Sequence, residues 1–250
     1  PAHVIQLHPV YPCELLNLHS DSTALQLARN TLYYYAVDQQ GFTETMNELG
    51  LSAFVMGTRI GFDPDILIDR MKTLIHRAGT NFLILDGHHC LEKTTIVETI
   101  NSMMLQSVDG VLHLFPCWPD KPASFTRLRA KGAFVVSAQY DGKQVISLKL
   151  TSERGETCRI ALPQKDAVTA EVRQNGETIK TIQKDGILSF TTEAGKEYEI
   201  ALYIQDTIGV LYINNDVAFG FRMYNWKNRH LGFFVSDGTM EVKDAAVLTE

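Results

Sequence analysis

The chain has 250 residues, 45% hydrophobic and 21% charged, which is enough apolar material for a sizeable core in one or two domains. Its formal net charge of −6, with no basic stripe to offset it, argues against nucleic acid as a partner. No apolar run reaches the ~20 residues of a membrane span, so no membrane partner is expected.

The N-terminus shows no signal pattern. The first residue is Pro1 rather than Met, and a motif follows at once. The chain therefore reads as a processed or trimmed piece of something longer, and the missing signal is silent on compartment. The helical half comes first. Asp21 and Ser22 offer N-caps ahead of Ala24, Leu25, Leu27, Ala28, Leu32 and Tyr35, spaced at three and four residues. A second helix is expected from about Thr43 to Arg59, with Met46, Leu49, Ala53 and Met56 on one stripe; Gly50 and Gly57 weaken it and Gly61 ends it. Asp63-Pro64 opens a third, whose apolar face is Ile66, Leu67, Met71, Leu74 and Ile75. A fourth runs from Thr94 or Thr95 to Ser107, with Ile96, Val97, Ile100, Met103 and Met104 inward.

After Gly110 the pattern alternates. Strands are expected at Val111–Phe115, Ala133–Tyr140, Gln144–Thr151, Thr157–Leu162, Val168–Gln174, Glu177–Ile182, Ile187–Phe190 and Glu197–Tyr203. Asp141-Gly142 and Asn175-Gly176 are turn signals. A turn every eight to twelve residues points to an antiparallel β-sandwich. Further strands follow at Ile208–Asn214, Val217–Tyr224, His230–Val235 and Met240–Val247. The expected domains are a helical region at 1–110, a β-sandwich at 111–202, and additional strands at 203–250 that extend it or start a second sandwich. Cys13, Cys90, Cys117 and Cys158 form no C-x-x-C spacing, so no structural zinc site is expected. Cys90 lies beside His88 and His89, which invites a metal or nucleophile reading, but a small, partly buried thiol is the simpler one.

Three phrases carry a family resemblance. They are Met103-Met104-Leu105-Gln106-Ser107, the strand from Gly110 to Pro119, and Leu128-Arg129-Ala130-Lys131-Gly132-Ala133-Phe134. Together with His8-Pro9-Val10-Tyr11-Pro12, they resemble the end of the catalytic domain in glycoside hydrolase family 95, over about residues 1–202. The resemblance implies an α+β multidomain protein, in which a partial (α/α)6-type helical hairpin region is followed by the sandwich. A shorter stretch, about 206–247, is similar to the last β-sandwich strands of glycoside hydrolase family 32, without that family's catalytic part.

What the resemblance implies chemically is inverting hydrolysis of an α-linked, fucose- or galactose-like glycoside. Inverting enzymes place two carboxyl groups ~6.5–9.5 Å apart, leaving room for the attacking water. Glu92 falls at or next to the family's base-side carboxylate, and Asp86 is the second choice. The loop's usual glycines are replaced by His88, His89 and Cys90, a departure that is expected to narrow the sugar pocket or remove it. The family's general acid lies well before the His8–Pro12 phrase, so a missing N-terminal region or another chain is expected to complete the helical domain. Glu14, Glu44 and Glu48 are candidates for that acid by residue type only, and a solvated helix face explains the last two.

Sugar contacts are expected at His8, His88, His89, Trp118 and Trp226. The competing reading for His8 is a structural loop residue, and for Trp118 packing at the junction. Arg127 and Arg129 read as structural ion-pair formers. The expected partner is an oligosaccharide or polysaccharide, with no metal and no other cofactor, and the family suggests an extracellular or periplasmic bacterial enzyme. Two alternatives stand beside the hydrolase: a non-catalytic carbohydrate-binding or accessory module, and an inactive fragment. The fragment reading predicts a large exposed apolar surface on the helical half.

Overall fold

A computed structural model describes residues 5–35, 52–80, 83–84, 89–90, 95–162, 168–204, 208–213 and 217–222. The chain divides into two compact units, Pro1–Ile204 and Gln205–Glu250.

In the first unit a short 3-10 turn, Ile5–Leu7, precedes α1, Ser22–Tyr33. Asp21 caps α1: its carboxylate accepts from the N–H of Thr23 at 2.9 Å and of Ala24 at 3.2 Å. Leu25, Ala28 and Leu32 form a buried stripe, while Leu27 of the expected face is exposed. The second helix, α2, is described as Ala53–Arg59; residues 43–51 of the expected helix lie outside the described residues. α3, Pro64–Arg77, starts with Pro64 in its first turn and Asp63 as cap. It buries Leu67, Met71 and Leu74, while Ile75 stays exposed. α2 and α3 meet at Gly57, where an added Cβ would come within 2.8 Å of Leu67 Cδ2 and push that side chain aside.

The fourth helix, α4, Ile96–Met104, is shorter than expected. Ile96 and Met103 face the core, but Val97 is 70% and Ile100 37% exposed. Leu105 turns into an extended conformation and starts a strand in place of the helix's last turn.

The β half is a sandwich. Its strands in chain order are β1 (Leu83–Ile84), β2 (His89–Cys90), β3 (Leu105–Val108), β4 (Val111–Leu114), β5 (Pro122–Ala130), β6 (Phe134–Asp141), β7 (Val145–Ser152), β8 (Cys158–Ala161), β9 (Val168–Gln174), β10 (Glu177–Thr178), β11 (Ile182–Lys184), β12 (Ile187–Phe190) and β13 (Lys196–Ile204). β1 and β2 form their own ladder. A six-stranded antiparallel sheet has the order β10-β9-β13-β7-β6-β5. A five-stranded sheet has the order β11-β12-β8-β4-β3, with β4 and β8 parallel and its other neighbours antiparallel. Side chains from both sheets, Leu105 through Ile200, fill one core. Tyr198 is its largest fully buried residue, and its hydroxyl accepts from the Glu193 N–H at 2.8 Å.

Two turns follow from their residues. Asn175 (φ 52) and Gly176 (φ 83) join β9 to β10 with Gln174 opposite Glu177, as a two-residue hairpin requires. The Asp141 carboxylate accepts from the N–H groups of Lys143 and Gln144 at 2.7 and 2.8 Å. The expected single strand Glu177–Ile182 is instead divided: β10 belongs to the six-stranded sheet and β11 to the five-stranded one. The second unit is described as one antiparallel hairpin, β14 (Ile208–Ile213) with β15 (Val217–Arg222).

Candidate functional site

Glu92, Asp86 and His88 lie outside the described residues, as do Trp226, Glu44 and Glu48. His89 is in β2, with its backbone paired opposite Ile84. His8 is half-buried, and its carbonyl accepts from the Cys13 N–H at 3.3 Å. Trp118 is half-buried and packs against both the helical and the sandwich cores; its indole N–H donates to the Lys121 carbonyl at 3.2 Å.

What the structure does bring together is a polar cleft of about 270 Å³ in the first unit, where the helices meet the sandwich. Arg59, at the end of α2, is its centre. Its side chain is only 15% exposed, and it faces two carboxylates: Glu98 at 2.9 Å and Glu14 at 3.6 Å. Glu98 also accepts from Ser102 Oγ at 3.0 Å. Lys131 pairs with Glu14, and this hydrogen bond is the main cause of the Glu14 carboxyl being held below the usual carboxylate range. A general acid needs the opposite shift, so Glu14 is poorly placed for that role.

Gln106 closes the inner side of the cleft. It is 2% exposed, and its Nε2 donates to the carbonyls of Thr58 at 2.8 Å and Ser102 at 2.9 Å. Two carbonyl partners fix which end of the carboxamide is nitrogen. Gln106 Oε1 and Arg59 Nε are then left buried without a hydrogen-bond partner among the described residues. The phrases that carried the resemblance meet here, since Ser107 Oγ accepts from the Lys131 N–H at 3.1 Å. Arg129 makes a two-pronged pair with Glu153 at 2.8 and 3.0 Å, the structural role expected of it. Arg127 sits at the β5 bulge with φ 60, and its N–H donates to Ser137 Oγ.

Arg59, Glu98 and the partnership of His19 with His113 escape the reading from sequence. The two imidazole Nε2 atoms lie 2.9 Å apart, and His19 Nδ1 is 3.3 Å from Asp109. Burial first, and then the neighbouring His19, hold His113 down at about 4. These contacts span 39 to 94 residues of chain, and no local pattern signals them. Cys117 and Cys158 are buried thiols pushed up to about 12 by desolvation. Cys117 Sγ donates to the Phe62 carbonyl at 3.2 Å, the behaviour of a core residue rather than a nucleophile. Among the described residues no group of three or more His, Cys, Asp and Glu is placed to hold a metal, and no helix is long and apolar enough to cross a membrane.

Residues 106–200 match the family described as glycoside hydrolase family 95, C-terminal domain. A comparison with curated proteins finds no match. Among solved structures, similarity is found to one described as a glycoside hydrolase, at 8% identity and TM-score 0.32, covering 66% of this chain and 33% of that one. A GH127 β-L-arabinofuranosidase from Geobacillus stearothermophilus T6 is similar at 14% identity and TM-score 0.31, covering 70% of this chain and 34% of that one. Another GH127 β-arabinofuranosidase is similar at 13% identity and TM-score 0.29, covering 62% and 32%. The chain thus spans about a third of the length of these structures.

Proposed function

We propose, from a chain that is glycoside hydrolase family 95-like and carries that family's C-terminal domain at residues 106–200, that it is the C-terminal portion of an inverting glycosidase. The family match is the observation that carries the reading. The helices α1 to α4 would be the closing hairpins of an (α/α)6 barrel, and the substrate an α-linked fucose- or galactose-like glycoside. Glu92 acts as the base-side carboxylate, with Asp86 as its alternative. It takes a proton from the water that attacks the anomeric carbon, while an acid outside this set protonates the leaving oxygen. His8, His88, His89, Trp118 and Trp226 contact the sugar. An exported location goes with this reading.

The second reading is a carbohydrate-binding module, in which Glu14, held below the usual carboxylate range chiefly by its hydrogen bond with Lys131, supplies no acid.

Hydrolysis of a panel of p-nitrophenyl glycosides, by the chain, by a longer native form and by Glu92→Gln, tests both. A loss of about 10²–10⁴-fold in Glu92→Gln is expected of a lost general base. Unchanged turnover in Glu92→Gln sinks the assignment, and glycan binding without turnover in any form favours the binding module.

A further inference from the structure

We propose that the cleft around Arg59 is a subsite for one neutral sugar residue, an inference that rests on the carbohydrate reading only for its class of ligand. Size comes first. At about 270 Å³ the cleft falls just under the range of pockets for drug-sized ligands, so it admits a single ring and not an oligosaccharide.

Charge comes second. Glu14 is balanced by Lys131, Glu98 by Arg59, and Arg129 by Glu153 at the rim. With every lining charge among the described residues already paired, a charged ligand displaces an ion pair to bind and gains little net attraction. A neutral ligand leaves the pairs in place and uses their free edges as hydrogen-bond acceptors and donors.

Hydrogen-bonding capacity comes third. Gln106, almost wholly buried, keeps an acceptor without a donor, and Arg59 keeps a donor without an acceptor. Such orphans are rare in folded proteins, and each costs its desolvation. Both atoms have almost no accessible surface, so a ligand reaches them only when the Gln106 carboxamide or the Arg59 side chain turns toward the cleft; a hydroxyl, which accepts one hydrogen bond and donates another, is the ligand group that then matches this mixed demand. Asn101, half-buried in the same lining, adds a further carboxamide that both donates and accepts. Leu105 and Leu128 give the cleft an apolar wall, which suits the C–H face of a pyranose. No aromatic ring among the described residues lines it, so recognition by those residues runs through edges and not stacking.

The test uses calorimetry or saturation-transfer NMR on the Glu92→Gln chain, which separates binding from turnover. Methyl α-L-fucoside, methyl α-D-galactoside and galacturonate are the probes. The methyl glycosides are expected to bind in the millimolar range, and galacturonate more weakly than galactoside. Asn101→Trp, which fills the cleft without touching its ion pairs, should weaken binding at least about tenfold. Asn101→Ala is a milder variant that should fold regardless and weaken it about threefold. Equal affinity in wild type and both Asn101 variants overturns the proposal, as does the absence of binding by any probe. Binding that is lost in Asn101→Trp while no form of the protein hydrolyses a glycoside sustains the subsite and defeats the hydrolase reading. Turnover that falls in Glu92→Gln with no Asn101-dependent binding does the reverse.

Discussion

The buried sandwich core is built from its own strands and the residues flanking them, from Leu105 to Ile200, with Met104 at the end of α4 packed against it. The helical core is less self-sufficient. It combines α1, α2, α3 and α4 with Leu7 and Val10, and then borrows Cys117 and Trp118 from the segment after β4. The difference teaches which region can stand without the other: the sandwich closes itself, whereas the helices need the sandwich to present part of their core.

The largest test of that dependence is Leu150→Ala. Leu150 is fully buried at the centre of the sandwich, so the substitution should cost about 3 kcal/mol from lost transfer energy and a residual cavity. If the helices lean on the sandwich, the helical far-UV signal and the tertiary signal should shift together in a denaturant titration. Separate transitions would show that the helical core stands alone. Trp118→Ala sharpens the same comparison. It removes a side chain that touches both cores, and should cost up to about 3 kcal/mol while splitting one transition into two.

A smaller effect comes from His113. Its imidazole is held at about 4, against ~6.5 in an unfolded chain. Between those values the unfolded state binds more protons than the folded one, so stability is full above about pH 6.5 and is lost as pH falls toward 4. Discounted for its partial exposure, the loss should be about 1–2 kcal/mol. Melting temperatures at pH 7 and pH 5 should differ less in His113→Gln than in the parent; an unchanged difference would refute the assignment. Least of all, Arg129→Gln removes only an exposed pair with Glu153 and should leave the melting temperature within error; a clear fall would show that the pair holds the β5 edge.

Much of the fold was legible in the sequence. Asp21 and Asp63 capped the helices they were expected to cap, and β9 and β12 span the residues their alternation marked. β5 was missed because it is an edge strand whose residues are mostly exposed and whose register breaks between Phe125 and Leu128, which erases the alternation. β3 was missed because Met103, Leu105 and Gln106 continue a helical burial pattern across the point where the backbone becomes extended. The split between β10 and β11 was hidden because alternation says nothing about which sheet a strand joins. The candidate site was less legible still. Family phrases pointed to Gln106 and Lys131, but Arg59 and Glu98 reach them across the fold, and the expected carboxylates Glu92 and Asp86 lie outside the described residues.

The parallel pairing of β4 with β8 sets an order on folding. Leu112 meets Ile160, and β5, β6 and β7 of the other sheet lie between them in the chain. The five-stranded sheet therefore cannot close until that meander has been made, a slow, non-local step. On a ribosome adding 5–20 residues per second, β8 follows β4 by roughly 2–10 s. Through that interval Leu112 and Phe115, which the finished sandwich buries, wait in water. The newborn chain is most exposed to chaperones, and to self-association, in the seconds before Ile160 arrives.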